Sequence, residues 1–367
     1  MSATILGIGT SVPDNFVDQA TAVEMVLDLV NSNTASGWHL QQIYMNAGIS
    51  KRHSVLLEGA GGHSTTQTFF SRLDPSLDLS GRHGPSTAAR MDRYIKEAVP
   101  LAVKSCRQAI ASAGIDTASI DHLITVTCTG FVAPGVDCFL MDELGLRRDV
   151  SRTQVGFMGC HGAFNGLRVG KALSLSAPDS TVLVCSVELC SIHFDYGWDV
   201  DRVLGNSLFS DGSGAAIIRR SAVDDDRNWK LVSQGSFVVP NSKNAIEWKV
   251  GDCGFEMTLS RRVPSIIVRN LKPWLLGWLS NQGLRIEDVK TWAVHPGGPS
   301  ILTSVEKALD IPESALDVSR AVLDDFGNMS SATIFFVLDR LKSANAKSPC
   351  VALGFGPGLT VEAMLLR

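Results

Sequence analysis

This chain of 367 residues has no block of lysine and arginine: 33 basic residues stand against 37 acidic ones, scattered along the whole length. A net charge of −4 and an isoelectric point near 6.1 leave no electrostatic footprint for nucleic acid or an anionic membrane surface. Nowhere do about twenty apolar residues run unbroken, which excludes a membrane-spanning helix. The opening stretch MSATILGIGTSVPDN lacks a basic segment and a long apolar run, so no signal peptide is read there and the cytoplasm is the expected compartment. The eight cysteines (106, 128, 138, 160, 185, 190, 253 and 350) include no CxxC pair, so no zinc or other metal site and no disulfide framework is indicated. Most read as buried free thiols. GIGTSV resembles a dinucleotide loop but lacks its third glycine and the later acidic residue.

What is present is core-forming material. With 45% hydrophobic residues and only 19% charged ones, the chain is long enough for two domains or two fused halves. Strand-length apolar runs (TILGIG, HLITVTC, STVLVCSVE, GAAIIRR, TWAVH, PCVALGFG) alternate with longer helix-like segments, a rhythm that predicts α/β layers. The polar stretch RRSAVDDDRNWK at 219–230 reads as a junction. We therefore expect an N-terminal half over 1–220 and a C-terminal half over 221–367.

An internal repeat fits that division. A shift of 168 positions lays STVLVCSVE on SPCVALGFG, DHLITVTCTG on VKTWAVHPGG, and Cys160 on Asn328. GIGTSVPDN and QGSFVVPNS match at a different offset, which implies an insertion of about sixty residues in the first half. On this repeat Cys160 and Asn328 head equivalent helices, and His295 ends an equivalent strand.

Each of the three residues has two readings. Cys160, between glycines in VGFMGCHGAFNGLRVG, is either a packed thiol or a nucleophile whose thiolate is favoured at a helix N-terminus. His295 in WAVHPGGPS is a structural histidine or a strand-tip site residue. Asn328 in DDFGNMSSATIFF is an N-cap or a polar donor. Their joint placement at corresponding ends of repeated units favours convergence on one pocket. Cysteine, histidine and asparagine without a carboxylate suit acyl transfer from a thioester. Donors from histidine and asparagine can then hold the enolate left when a malonyl thioester loses CO₂, so no base is needed to remove a carbon-bound proton.

The blocks GIGTSVP, PSTAARMDRY, GFMGCHGAFNGLR, LFSDGSGAAI, WAVHPGGPSIL, GNMSSATIFFVL and GFGPGLTVE cover nearly the whole chain. With them the chain resembles the type III polyketide synthases, the chalcone-synthase-like branch of the thiolase superfamily, and looks like bacterial members. The resemblance implies an α/β thiolase-like fold of two pseudo-symmetric αβαβα halves in a homodimer. Cys160 would carry the acyl group, and His295 and Asn328 would form the decarboxylation and oxyanion pair. Phe209 would stand between the CoA tunnel and the cavity, with Gly298, Gly356 and Pro357 shaping its walls and floor. Met257 falls where plant members have a second gate phenylalanine, and Trp248 where they have a small glycine. Cys128, Thr129, Cys190, His193 and Ser330 fall on other lining positions. Each lining assignment competes with ordinary core packing. The basic residues that meet the CoA phosphates are replaced by WHLQQIYMN, leaving Lys51 and Arg52 as the nearest cations.

The implied activity is loading of an acyl-CoA starter, decarboxylative extension with malonyl-CoA, and cyclisation to a pyrone, resorcinol or related polyketide. Acyl-CoA and malonyl-CoA are its substrates, an acyl-carrier protein is an alternative starter donor, and no further cofactor is called for. A ketoacyl-carrier-protein synthase of the initiating type follows its histidine with Gln-Ala-Asn, where this chain has HPGGP. A degradative thiolase needs a second cysteine where Gly354 stands, and a hydroxymethylglutaryl-type synthase needs a catalytic glutamate, of which none stands out. A non-catalytic lipid-binding protein of the same fold is the remaining alternative.

Overall fold

The computed structural model describes residues 2–30, 35–74, 76, 83–197, 200–221 and 228–367. Most of the acidic stretch expected to form the junction, 222–227, lies outside the described residues. The strands in chain order are β1 (Ser2–Ser11), β2 (Asn15–Asp18), β3 (Lys51–His53), β4 (Gly62–His63), β5 (His122–Thr127), β6 (Ser151–Gly156), β7 (Thr181–Leu189), β8 (Asp211–Ser221), β9 (Trp229–Val238), β10 (Ile246–Gly251), β11 (Gly254–Leu259), β12 (Thr291–Val294), β13 (Cys350–Gly356) and β14 (Thr360–Leu366). The helices are α1 (Gln19–Leu29), α2 (Ala35–Met45), α3 (Thr87–Ala113), α4 (Val136–Glu143), α5 (Gly162–Ser174), α6 (Val200–Leu208), α7 (Val263–Ser280), α8 (Pro299–Leu309), α9 (Asp317–Phe326) and α10 (Thr333–Ser343).

Nine strands form one sheet in the order β12-β13-β14-β9-β1-β8-β7-β5-β6. The runs β6-β5-β7-β8-β1 and β12-β13-β14-β9 are the two halves, joined where β1 and β9 pair antiparallel through Ala3–Leu231, Thr4–Lys230 and Ile5–Trp229. Within each half the inner strands are parallel (β5 with β6 and β7, β12 with β13) and the last strand runs antiparallel.

Alternation along the strands explains why they read as continuous apolar runs. In β13, Cys350 and Ala352 face one core while Val351 and Leu353 face another, so both faces are buried. α7 covers the outer face of the C-terminal half with Val263, Ile267, Leu271, Leu275 and Leu279, a four-residue spacing that keeps one stripe inward. α3 covers the N-terminal half with Tyr94, Ala98, Leu101 and Ala102. Between the halves lie α5 and α10, whose Phe164, Leu167, Ile334, Phe335 and Leu338 pack with residues of both. The layers are therefore αβαβα, with the middle helices shared.

The 168-residue shift places β7 on β13 and α5 on α10. It places β6 on α9, so the halves differ there: SRTQVG alternates exposed and half-buried as an edge strand, whereas DVSRAVLDDF buries Ser319, Val322 and Leu323 on one helical face. No helix among the described residues is long and apolar enough to cross a membrane.

Ile5 is fully buried at the seam between the halves. Ile5→Ala should lower unfolding stability by about 2–5 kcal/mol, read from denaturant midpoints. A loss below about 1 kcal/mol would show that this seam is not a load on the fold.

Candidate active site

Three chain segments meet at one cavity of about 690 Å³. Cys160 comes from a single 3₁₀ turn, Gly159–His161, ahead of α5. Gly159 has φ +67°, and a Cβ there would stand 2.4 Å from Pro357 Cδ, so only glycine lets the two loops close on each other. His295 follows β12, held by its backbone N–H donating to Leu353 O at 2.8 Å. Asn328 sits in the turn before α10, where its N–H donates to Leu208 O at 2.9 Å and its carbonyl accepts from Ser210 N at 3.0 Å, beside Phe209.

All three residues line the cavity. The two readings of Asn328 coexist in it. Its Oδ1 accepts from Ser330 N at 2.9 Å as a local cap, while Nδ2 donates to Gly297 O at 3.2 Å. That second bond fixes which end of the amide faces the site. Ser330 itself holds φ +47°, a left-handed conformation that a non-glycine residue adopts only under constraint, and its hydroxyl bonds Cys160 Sγ at 3.6 Å.

Electrostatically the site is neutral. Burial pushes the Cys160 thiol up to about 11, with the Ser330 hydrogen bond opposing in part. In the empty cavity burial therefore outweighs the helix-end contribution that favours a thiolate. A rise of two pH units from 9 corresponds to roughly 3 kcal/mol, against about 0.3–1 kcal/mol for a macrodipole at a helix end. His295 is driven down to about 3 by burial and is 1% exposed, and neither ring nitrogen has a hydrogen-bond partner. An orphaned imidazole facing a cavity is a donor and acceptor waiting for a ligand.

The expected lining residues Phe209, Met257, Trp248, Cys128, Thr129, Cys190, His193, Ser330, Gly298, Gly356 and Pro357 all border the cavity. Trp248 Nε1 donates to Cys128 O at 2.6 Å. Beside it His193 stacks on Phe255 at 4.2 Å, donates Nε2–H to Thr129 O at 2.8 Å and accepts from Phe255 N at 3.0 Å. Both nitrogens are satisfied only in the neutral tautomer, and burial holds the pKa near 3. His193 is thus a piece of wall.

The expected CoA cations are placed differently. Arg52 borders the cavity, but its guanidinium donates to the carbonyls of Asn206 and Phe209 and lies over the Tyr44 ring. Lys51 is not among the lining residues and sits 5.5 Å from the centre of the Phe16 ring. The cavity margin carries instead the exposed Arg261, just ahead of α7.

Sequence reading missed Glu188. It is fully buried on β7 and accepts from Cys128 N (3.0 Å), Thr129 N (3.1 Å), Thr129 Oγ1 (2.7 Å) and the Ser331 hydroxyl. Burial raises its pKa despite these donors. It ties the Cys128–Thr129 wall to the turn bearing Ser330. The available signal was a single charge inside the apolar run STVLVCSVELC. Among the described residues no cluster of histidine, cysteine and carboxylate is placed to hold a metal.

Comparison with known proteins gives the following similarities. Residues 1–222 match the model of the N-terminal domain of chalcone and stilbene synthases, and residues 230–367 match that of their C-terminal domain. The alpha-pyrone synthesis polyketide synthase-like Pks18 of Mycobacterium tuberculosis is 34% identical over 99% of this chain and 90% of its own length. Bisdemethoxycurcumin synthase of Oryza sativa subsp. japonica is 33% identical over 100% of this chain and 92% of its own. The crystal structure of PKS-I from the brown alga Ectocarpus siliculosus superposes with a TM-score of 0.90 at 28% identity, covering 100% of this chain and 98% of that one.

Because the free thiol titrates near 11, alkylation of Cys160 by iodoacetamide should rise about tenfold per pH unit from pH 7 without a plateau below about pH 10. Peptide mass spectrometry reads the rate at this residue. A plateau reached by pH 7 would show a thiolate already formed in the empty site.

Proposed function

From the premise that this chain belongs to the chalcone and stilbene synthase family, and is a type III polyketide synthase forming carbon–carbon bonds as an acyltransferase, we propose how its own residues divide the work. The observation that carries the reading is His295, whose two buried, unpartnered nitrogens border the same cavity as the Cys160 thiol and the Asn328 amide.

Loading begins with Cys160 Sγ attacking the carbonyl of an acyl thioester. The sulfur–acyl bond forms, the thioester bond to CoA breaks, and the proton of Cys160 passes through His295 to the departing CoA sulfur. Since burial keeps thiol and imidazole neutral before substrate arrives, this proton moves with the attack and no ion pair precedes it. Malonyl-CoA then loses CO₂. The electron pair of the broken bond becomes an enolate, whose oxygen accepts from His295 N–H and Asn328 Nδ2–H. Its carbon attacks the acyl carbonyl on Cys160: a carbon–carbon bond forms, the sulfur–acyl bond breaks, and the Cys160 thiolate released takes a proton from water. No cofactor is required beyond the thioesters.

The product class proposed is a pyrone, resorcinol or related ring from a CoA or acyl-carrier-protein starter. Support comes from the relative named for alpha-pyrone synthesis and from the Trp248–His193 wall, which fills volume on one side of the cavity. We also propose a cytoplasmic homodimer. Cys106, Cys128, Cys138, Cys160, Cys185, Cys190 and Cys350 form no disulfide, as in a reducing compartment, and Phe131 is 72% exposed beside Phe157, an aromatic that a second copy would cover.

Two outcomes are expected. Cys160→Ala should abolish covalent starter loading in intact-mass measurements, and unchanged product formation by that variant would sink the mechanism. His295→Ala and Asn328→Ala should each lower malonyl-CoA decarboxylation by about 10²–10³. Carbon dioxide release at the wild-type rate would remove them from the enolate-holding role.

A further inference from the structure

Of the described residues that line the cavity, only Gln42, Asn46, Arg261 and Ser300 are exposed, so they mark where it opens to solvent. α2 supplies one flank of this mouth and the residues leading into α7 another. α6 stands between them, packed on α2 and on β11. A thioester bound for Cys160 passes these flanks, and none of their residues takes part in the chemistry proposed above.

The flanks differ in chemistry. α2 has no lysine, arginine or carboxylate along it, and its Trp38, Gln42 and Asn46 follow one another at four-residue spacing on one face. Trp38 is 60% exposed and Met45 55%, an apolar edge beside the opening. On the α7 side Arg261, Arg262 and Arg269 are exposed, and no carboxylate among the described residues pairs with them. Arg262 stands at the N-cap of α7, whose first turn has no acidic residue, so Arg261 and Arg262 add to the positive end of the macrodipole at a cost to the helix. Arg269 lies on the same face as Arg262, two turns or about 10 Å further from the mouth. A bound nucleotide could meet Arg261, but a row of cations leading away from the mouth, with exposed tryptophan and methionine across from it, suits the surface of a folded acidic partner.

We propose that the mouth docks an acyl-carrier protein, with an acidic helix of the carrier along Arg262 and Arg269 of α7 and an apolar edge of it against Trp38 and Met45 of α2, so that its phosphopantetheine thioester enters between the flanks. The proposal rests on the synthase reading, since Cys160 must accept the acyl group. In that transfer the bond from the acyl carbon to Cys160 Sγ forms, its bond to the pantetheine sulfur breaks, and the Cys160 proton goes to the departing pantetheine thiolate. The arginines act on encounter with the carrier and touch no reacting atom.

The test is the rate of octanoyl transfer to the full chain, read by intact mass, from three donors: an octanoylated carrier protein of the bacterial fatty-acid type, octanoyl-CoA, and the uncharged octanoyl-N-acetylcysteamine. Wild type should load from the carrier protein with a specificity constant at least about tenfold above that for octanoyl-CoA. Arg262→Glu, Arg269→Glu and Trp38→Ser should each lower carrier-protein loading about fivefold or more, with octanoyl-CoA loading within about twofold of wild type. Equal losses with carrier protein and CoA would show a site for nucleotide phosphates and overturn the docking surface. Carrier-protein loading unchanged in Arg269→Glu and Trp38→Ser overturns it too, as does a wild type that prefers octanoyl-CoA. If Arg262→Glu does not fold, the other two variants decide alone. In each of these failures, loading of wild type from the uncharged thioester leaves the synthase reading intact. A wild type that loads from none of the three donors overturns both readings.

Discussion

The site depends on a short main-chain stitch between the halves. Asn328 N–H reaches Leu208 O, and Ser210 N–H reaches Asn328 O, so a loop of the C-terminal half becomes one residue of extended pairing beside Phe209 of the N-terminal half. One set of polar groups in the cavity is referenced to that pair of bonds. The Asn328 side chain is aimed by Gly297 and Ser330, Ser330 meets Cys160 and Cys128, and Ser331 meets Glu188 and Ser186. A shift of the halves against each other would break several of these at once, because they form one connected network. The large apolar seam, with α5 and α10 between the two halves, is what makes such a shift costly.

Burial then sets the charge state. An enclosed cavity raises Cys160 and Glu188 and lowers His295 and His193, in every case toward the neutral form. On the proposed mechanism this is functional: charge arises only as the thioesters react, in surroundings where an N–H pointed at a forming oxyanion is stronger than in water. Glu188 is set a layer back and held by backbone N–H groups of Cys128 and Thr129. Its place is to organise the wall.

Much of this was legible in the sequence because the informative features are periodic or rigid. Strand-length apolar runs forecast α/β layers, and the 168-residue repeat placed Cys160 and Asn328 at matching helix starts, where the structure has α5 and α10. Other features depend on neighbours that no spacing encodes. Lys51 and Arg52 are adjacent cations on an edge strand, and only the fold decides that Arg52 turns inward to two carbonyls while Lys51 lies over Phe16. Where the same shift overlays β6 on α9 the halves differ, because an alternating strand pattern gives way to one-sided helical burial. The charge state of Cys160 is hidden for a related reason: a helix start is visible in sequence, but the desolvation that opposes it is not.

The two histidines that line the cavity show how much a role owes to unpaired atoms. Both are buried, both are held near pKa 3, and both lie in the same chamber. His193 spends its nitrogens on Thr129 O and Phe255 N and its face on Phe255, so its tautomer, orientation and contacts are fully used. His295 spends none, because the backbone of the HPGGP turn, Gly297 N to His295 O at 3.0 Å, fixes its position without touching its ring. Leaving two buried nitrogens unmet costs stability, about 1–3 kcal/mol for each such group. On the proposed mechanism, a fold that retains that cost at a ring bordering the same cavity as the Cys160 thiol leaves a donor open for a substrate oxygen, and hydrogen-bond accounting separates these two residues where placement alone does not.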